Sequence, residues 1–149
     1  MGLPDVRLPD GTEVAPHLEM RRQFHLFAGV RPVKKYENTP SPLGDPRAEA
    51  IDLVILREST EGLFASRGKG TVENDAVARD TLEITRATSE KLFDHAFRLA
   101  ERRLAKGRGK GRVTCVDKSN VFVSMAFFRK IFDERAKAFP EIAADHAYV

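Results

Sequence analysis

The chain of 149 residues contains one cysteine, no tryptophan and no long apolar run. A lone cysteine cannot form an internal disulfide, so Cys115 is expected to be an inert, buried thiol in a reducing compartment. No apolar stretch approaches the roughly 20 residues that a membrane-spanning helix needs. Residues 1–5 lack the basic and apolar regions of a secretory signal. These absences exclude a disulfide-stapled domain and a membrane span, and we expect a cytoplasmic location.

A net charge of +3 and a pI of about 9.2 raise the question of nucleic-acid binding. The basic excess lies mainly in Arg102, Arg103 and the glycine-interleaved segment 106–112. This stretch has no interleaved aromatic residues and resembles no recognition module. Basic residues also suit the last turn of a helix, which glycines then terminate. We therefore interpret it as a helix end and a solvated loop, and we expect no nucleic-acid partner.

Apolar periodicity predicts a helix and two strands in the first part of the chain. Leu18, Met20, Phe24 and Phe27 recur at helical spacing up to Gly29, after which a strand is expected around residues 31–33. Three prolines within residues 38–46 predict a surface loop. The apolar run 51–56 predicts a strand, which we expect to be buried on both faces.

The second part of the chain predicts a hairpin, two helices and another strand. Turn formers after residue 64 and alternation over residues 81–85 predict a half-exposed strand in a protruding hairpin. A helix should begin at Thr88 or Ser89 and end near Gly107, and another should follow Asn120 and stop before Pro140. The apolar run 113–116 lies between them as a strand. Strands separated by helices of this length indicate an α/β fold.

Charged residues follow two of the predicted strands directly. Lys118 comes after the run 113–116, and Arg57 follows the run 51–56, with Glu58 and Glu61 close behind. Ligands of open α/β sheets bind at the carboxyl ends of strands. The pattern therefore suggests that both strand ends contribute opposite charges to one cleft for a small anionic substrate.

Residues 27–33 (FAGVRPV), 56–64 (LRESTEGLF) and 116–121 (VDKSNV), with the ending 145–149 (DHAYV), resemble the isocitrate/isopropylmalate dehydrogenase family, which includes the tartrate dehydrogenases. The resemblance implies an isopropylmalate dehydrogenase-like α/β fold that is incomplete here and carries a protruding β-hairpin arm. It further implies that residues 1–27 are a remnant of the first, cofactor-side domain. Residues 28–149 would be the second, dimer-forming α/β domain, incomplete at its C-terminal end.

The same resemblance implies roles for five residues. Arg21, Arg31 and Arg57 would bind substrate carboxylates, which suits the planar fork of guanidinium. Lys118 would be the catalytic lysine that helps to move the proton of the hydroxyl or enol, and Asn120 would lie near the nicotinamide. From local sequence alone, each arginine would be a surface ion-pair partner, Lys118 a solvated lysine and Asn120 a helix N-cap.

The implied chemistry is NAD- or NADP-dependent oxidation of a 2-hydroxy acid such as isopropylmalate, malate or tartrate, in most members with β-decarboxylation. Mg²⁺ or Mn²⁺ would act as a Lewis acid. The resemblance also implies a homodimer in which Lys118 serves the neighbouring subunit's active site. The hairpin over residues 67–84 and the helices beginning near Thr88 and Val121 would form the dimer surface.

Departures from the family pattern narrow these expectations. Phe64 stands where the family usually has a tyrosine that assists protonation of the enol after decarboxylation, and phenylalanine has no proton to give, so whether the decarboxylating half-reaction occurs stays open. Val14 and His17 replace a glutamate and a leucine that help isopropylmalate enzymes recognise their substrate, so that substrate is not assured.

The family's metal aspartates and adenosine loop would follow Val149, so we expect no metal ligand in this chain. We expect a fragment that is inactive alone. The alternative function is a noncatalytic dimerisation or regulatory module derived from the family, which would need neither Arg21 nor Lys118.

Overall fold

The computed structural model describes residues 7–11 and 14–149. In chain order the elements are α1 Pro16–Gln23, β1 Gly29–Lys34, β2 Asp52–Arg57, β3 Thr71–Glu73, β4 Val77–Arg79, α2 Arg86–Ala105, β5 Arg112–Asp117, α3 Val123–Ala136 and β6 Ala143–Tyr148. Short 3₁₀ turns cover Pro46–Ala50 and Leu63–Ser66. Within these described ranges, no helix is both long enough and apolar enough to traverse a bilayer.

The core lies where α2 and α3 pack on the pair β5–β6. Its centre is a group of phenylalanines: Phe97 stacks on Phe132 with ring centroids 5.3 Å apart, and on Phe139 at 5.1 Å. Both helices present an apolar stripe because their apolar residues recur every three to four positions. The two predicted helices are confirmed, and the buried members of their stripes are Leu92, Phe93, Phe97, Ala100, Ile131 and Phe132.

The strands form three two-stranded sheets. β1 and β2 are antiparallel, β3 and β4 form an antiparallel hairpin, and β5 and β6 are parallel. Every residue of β3 and β4 is exposed, so the hairpin protrudes as predicted. Asn74 and Asp75 form its turn with φ near +50°, a conformation that asparagine and aspartate tolerate better than most residues. The fold is thus an incomplete α/β fold with a hairpin arm.

The expectation that the second strand is buried on both faces was wrong. Burial alternates along β2, and Leu53 and Ile55 are about half exposed. The reason is that β2 pairs antiparallel with β1, and within the described residues no element covers the outer face of this pair. Its inner face packs through Leu56 against the core.

Three predicted boundaries also differ from the structure. Residues 81–85 do not form a strand but contribute one bridge, from Glu83 to Gly62. Helix α2 begins at Arg86 rather than Thr88, because the Thr85 side chain caps it. Helix α1 ends at Gln23, and Gly29 opens β1 instead of terminating the helix.

Candidate functional site

Arg31 and Arg57 lie on the same face of the β1–β2 pair. Arg31 is opposite Ile55, and Arg57 is opposite Gly29. Opposed residues of an antiparallel pair point to one face, and so do residues two apart on one strand. The two arginines are therefore diagonal neighbours, a separation of roughly 7–8 Å in such pairs. This is the exposed face of the pair, so both guanidinium groups are open to solvent.

None of the three predicted carboxylate-binding arginines has an ion-pair partner among the described residues. Arg21 lies half-buried near the end of α1, while its neighbour Arg22 pairs with Glu19 at 2.9 Å. The guanidinium of Arg57 lies over the ring of Phe64, 5.9 Å from its centroid. The predicted alternative, that these arginines are ordinary surface ion-pair partners, is not what the structure shows.

The loop after Arg57 is held by two glutamates. Glu58 accepts hydrogen bonds from the Thr60 hydroxyl, from Thr60 N at 2.5 Å and from Glu61 N at 2.9 Å. Glu61 in turn accepts from Thr85 N at 2.8 Å and from Thr85 Oγ1 at 2.5 Å. These carboxylates therefore satisfy backbone donors and connect the loop to the start of α2.

Lys118 lies on a second, separate structure, the turn between β5 and α3. Asp117 immediately before it is buried, and its carboxylate accepts from Ser119 N at 2.7 Å. Arg129 of α3 donates to both oxygens of Asp117 at 2.9 Å. Burial raises the pKa of Asp117, but hydrogen bonds from Arg129 and Ser119 outweigh it, so the pKa lies below its ordinary value. The side chain of Lys118 itself is exposed.

Asn120 does not cap a helix, contrary to the local sequence alternative. Helix α3 begins at Val123, its N-cap position is Phe122, and no side chain makes a capping bond there. The carbonyl of Lys118 instead accepts from Val121 N at 2.9 Å and Phe122 N at 3.0 Å. Asn120 is exposed on this turn, close to Lys118 in sequence.

The structure brings some predicted site residues together and keeps others apart. Arg31 and Arg57 share the β1–β2 pair, whereas Lys118 and Asn120 follow β5 in another sheet. The carboxylates of Glu58 and Glu61 after β2 are engaged by Thr60 and by Thr85 at the start of α2, so they are not free to contribute charge to the expected cleft. Over residues 7–11 and 14–149, no group of three histidine, cysteine or acidic residues is placed to hold a metal ion.

Sequence reasoning missed Arg129 and Tyr148. The guanidinium of Arg129 lies 4.7 Å from the centroid of the Tyr148 ring, and its Nη1 is 3.4 Å from the tyrosine hydroxyl. Arg129 lies in none of the segments that carry the resemblance, and although Tyr148 lies in the ending 145–149, its contact with Arg129 depends on β6 pairing with β5. The sequence did contain a signal for Arg129: Asp117 directly follows the apolar run 113–116, and a carboxylate buried at such a strand end needs a cationic partner.

Comparison with known proteins gives consistent matches. The family model described as isocitrate/isopropylmalate dehydrogenase matches residues 4–149. The 3-isopropylmalate dehydrogenase of Heyndrickxia coagulans is 40% identical over 137 residues, which cover 89% of this chain and 35% of that protein. That of Staphylococcus aureus (strain Mu50) is 37% identical over 134 residues, covering 89% and 36%.

A solved structure agrees with these relatives. The crystal structure of isocitrate dehydrogenase from Methylococcus capsulatus superposes with a TM-score of 0.77 at 30% identity, over 96% of this chain and 40% of that one. The chain spans about a third of the length of the curated relatives that it matches.

Proposed function

Because this chain belongs to the isocitrate/isopropylmalate dehydrogenase family, we propose that it is the central part of a dehydrogenase that oxidises a small 2-hydroxy acid with NAD or NADP and Mg²⁺ or Mn²⁺. The substrate class is a hydroxy-dicarboxylate of the isopropylmalate, malate or tartrate type, with β-decarboxylation following oxidation. The observation that carries this proposal is the placement, on one exposed face of β1–β2, of two arginines that have no ion-pair partner among the described residues.

Arg31 and Arg57 suit a dicarboxylate because each guanidinium can form a bidentate pair with a carboxylate. Their diagonal spacing on the pair allows both to contact one small anion. An unpaired arginine has no internal carboxylate to displace, so binding does not first require breaking an ion pair. Arg21, also unpaired among the described residues, is the third proposed contact.

We assign proton transfer at the substrate hydroxyl or enol to Lys118, with Asn120 beside the nicotinamide. The side chain of Lys118 is exposed and available for a partner. The turn after β5 and the arginines of β1–β2 belong to different sheets. This separation supports the proposal that Lys118 serves the site of the neighbouring subunit in a homodimer.

The metal and the adenosine part of the cofactor would depend on residues outside this stretch. The described residues do not form a metal site, and we propose that carboxylates outside this stretch would hold Mg²⁺ or Mn²⁺. When bound, the metal would polarise the hydroxyl and carbonyl oxygens. We also propose that residues 1–27 belong to the cofactor-side domain and residues 28–149 to the dimer-forming domain.

The test uses the full natural polypeptide that contains this chain, assayed with a panel of hydroxy acids, NAD or NADP, and Mg²⁺ or Mn²⁺. Arg57→Met should lower kcat/KM by about 2–5 kcal/mol in transition-state free energy if it forms a charge-assisted pair with the substrate. Lys118→Met should abolish turnover. Arg102→Met, on the exposed side of α2, is the matched control and should leave both constants unchanged. Full turnover in Lys118→Met would refute the catalytic assignment.

A second candidate is a noncatalytic dimerisation or regulatory module. It is favoured by exposed apolar residues on the proposed dimer surface, such as Val72 at 71% and Val123 at 88% exposure. This module needs neither Arg21 nor Lys118. If Arg57→Met and Lys118→Met both leave activity unchanged while association persists, this second function replaces the first.

A further inference from the structure

We propose that Arg129 is a positioning residue, which acts through the buried carboxylate of Asp117 to hold Lys118 in its working place. The inference rests on the proposed function, because it presumes that Lys118 transfers a proton. Arg129 lies on α3, eleven positions after Lys118, and would be a further residue that supports this lysine.

The carboxylate of Asp117 is buried and accepts a hydrogen bond on each of its oxygens. Its side chain is fully inaccessible, while that of Arg129 is 21% exposed. One carboxylate oxygen accepts from Ser119 N and Arg129 Nη2, and the other from Arg129 Nε. The thiol of Cys115 lies 3.5 Å from the second oxygen. A carboxylate bound by a guanidinium fork has one orientation, since two parallel bonds remove its rotational freedom.

The hydrogen bonds of the Asp117 carboxylate fix the backbone on both sides of Lys118. Asp117 before it is held by Arg129, and Ser119 after it is tied through its own N–H to the same carboxylate. The carbonyl of Lys118 accepts two further bonds from the start of the α3 region. An exposed lysine on an ordinary surface turn needs no such support. Here the backbone is anchored and only the side chain is free.

Residues at the end of the last strand, β6, also contact Arg129 and Asp117. The ring of Tyr148 lies 4.7 Å from the guanidinium of Arg129. Val149 N donates to the carbonyl of Asp117 at 3.0 Å. The end of β5, helix α3 and the end of β6 therefore meet at Asp117 and Arg129, directly beside the lysine.

A lysine at position 129 would keep the charge but lose the fork, because an ammonium group cannot make two parallel bonds in a fixed plane. Asp117 would then be free to rotate, and the turn that carries Lys118 would shift. A displacement of about 1 Å in a catalytic group can reduce a rate by about a hundredfold. We therefore expect kcat, rather than KM, to respond.

The experiment compares Arg129→Lys and Arg129→Met in the full natural polypeptide. We expect kcat to fall by about ten- to a hundredfold, least in Arg129→Lys, with KM changed by less than about threefold. The matched control is Arg135→Met. Arg135 also makes a fork with a carboxylate, from Nε and Nη2 to Asp94 at 2.7 and 3.0 Å, but this pair joins α2 to α3 away from Lys118. Its kcat should match the wild type.

Amide hydrogen exchange at Ser119 and Val121 supplies the readout that separates positioning from simple stabilisation. Exchange at these amides should be faster in Arg129→Lys but not in Arg135→Met, with both proteins folded. If kcat or local exchange is unchanged in Arg129→Lys, the inference is overturned. If Arg129→Met does not fold, Arg129→Lys alone decides the matter.

The variant Lys118→Met distinguishes a failure of the positioning role of Arg129 from a failure of the proposed function. If it is inactive and Arg129→Lys is not impaired, only the positioning inference fails. If Lys118→Met remains active, the proposed function fails and the inference fails with it.

Discussion

At the scale of single residues, Cys115 has an unusual environment for a thiol. It is buried in β5, and its sulfur lies 3.5 Å from a carboxylate oxygen of Asp117. Burial first, and then the charge of Asp117, raise the pKa of Cys115 from 9.0 to about 12. The thiolate is the reactive form of cysteine, so the folded protein keeps this residue inert.

We therefore predict that Cys115 resists alkylation in the folded chain at about pH 8 and reacts once the chain is unfolded in denaturant. Intact-mass measurement after iodoacetamide treatment with and without denaturant checks this. Equal labelling rates in both conditions would contradict the buried, raised-pKa environment.

The raised pKa of Cys115 also predicts how stability depends on pH. Above pH 9.0 the unfolded chain releases the thiol proton while the folded chain retains it, so stability is lost as pH rises from 9.0 toward 12. The free energy of unfolding should decline by up to about 1.4 kcal/mol per pH unit from this group. Cys115→Ser, which does not titrate there, should show a shallower decline in denaturant titrations. Identical slopes would count against the assignment.

Phe64 offers a second prediction for a single residue. Its ring faces the guanidinium of Arg57, so the side chain at this position adjoins the proposed carboxylate site. Phenylalanine has no proton to give to an enol, whereas tyrosine has one. In the full polypeptide, Phe64→Tyr should raise the decarboxylated fraction of the product, measured by product analysis. Phe64→Leu is the control, and an unchanged fraction in Phe64→Tyr would remove the reason to doubt decarboxylation.

The position of a candidate site residue was predictable from sequence only where its motif directly follows a clearly predicted strand. Lys118 follows β5 as expected, because a run of apolar residues between glycines and a polar turn leaves few alternatives. The shared face of Arg31 and Arg57 was not predictable, since it depends on the register between two strands separated by a long loop. Register is set by the packed inner face and not by the residues of the site. The roles of all five site residues stay predictions.

At the scale of elements, the start of α2 shows how a cap decides a boundary. Thr85 Oγ1 accepts from Thr88 N at 3.4 Å, and the same residue is held by Glu61. The helix therefore starts at Arg86, two residues before Thr88, which is the earlier of the two predicted starts.

Thr85→Ala should destabilise the chain by about 1–2 kcal/mol, because the first turn loses its cap and Glu61 loses a donor. Denaturant unfolding followed by circular dichroism measures the change. Thr88→Ala, within the same turn but making no capping bond of its own, should stay within about 0.5 kcal/mol. Equal losses in both variants would be inconsistent with Thr85 as the cap.

Helices were easier to predict than strands in this chain. α2 and α3 each carry enough apolar residues at helical spacing for the pattern to dominate. β6 has no such pattern, because Ala143–Tyr148 alternates neither in hydrophobicity nor in burial. It is a strand because its backbone pairs with β5 along the whole length. Pairing with a distant partner is information that a local window does not contain.

At the scale of the whole molecule, apolar residues remain exposed on several surfaces. They include residues of the hairpin arm, of the outer face of β1–β2, and of the turn before α3 together with its first residue, namely Val72, Ile55, Val121 and Val123. Exposed apolar residues gathered on one surface are typical of surfaces that other protein covers. The hairpin makes no extensive packing contacts of its own, so it adds little to the stability of the rest.

If the hairpin is part of a dimer surface, Val72→Ser should weaken self-association of the full polypeptide while leaving its thermal unfolding nearly unchanged. The reason is that Val72 is 71% exposed in the single chain, so its truncation removes little buried apolar surface. Sedimentation velocity across a concentration series measures the association. Leu43→Ser, in the proline-rich loop, is the control with a comparably exposed side chain. Equal self-association of the wild type, Val72→Ser and Leu43→Ser would show that the hairpin is not part of a dimer surface.

The contacts that the end of β6 makes with Asp117 and Arg129 affect the order of folding during translation. Asp117 is synthesised well before Tyr148 and Val149, the residues that close over Arg129 and the strand end. At typical translation rates, this interval is roughly 2 to 6 seconds. During that time the nascent chain carries a carboxylate whose enclosure cannot yet be completed. The turn with Lys118 is therefore among the last parts of this stretch to acquire its final shape, although its sequence emerges earlier.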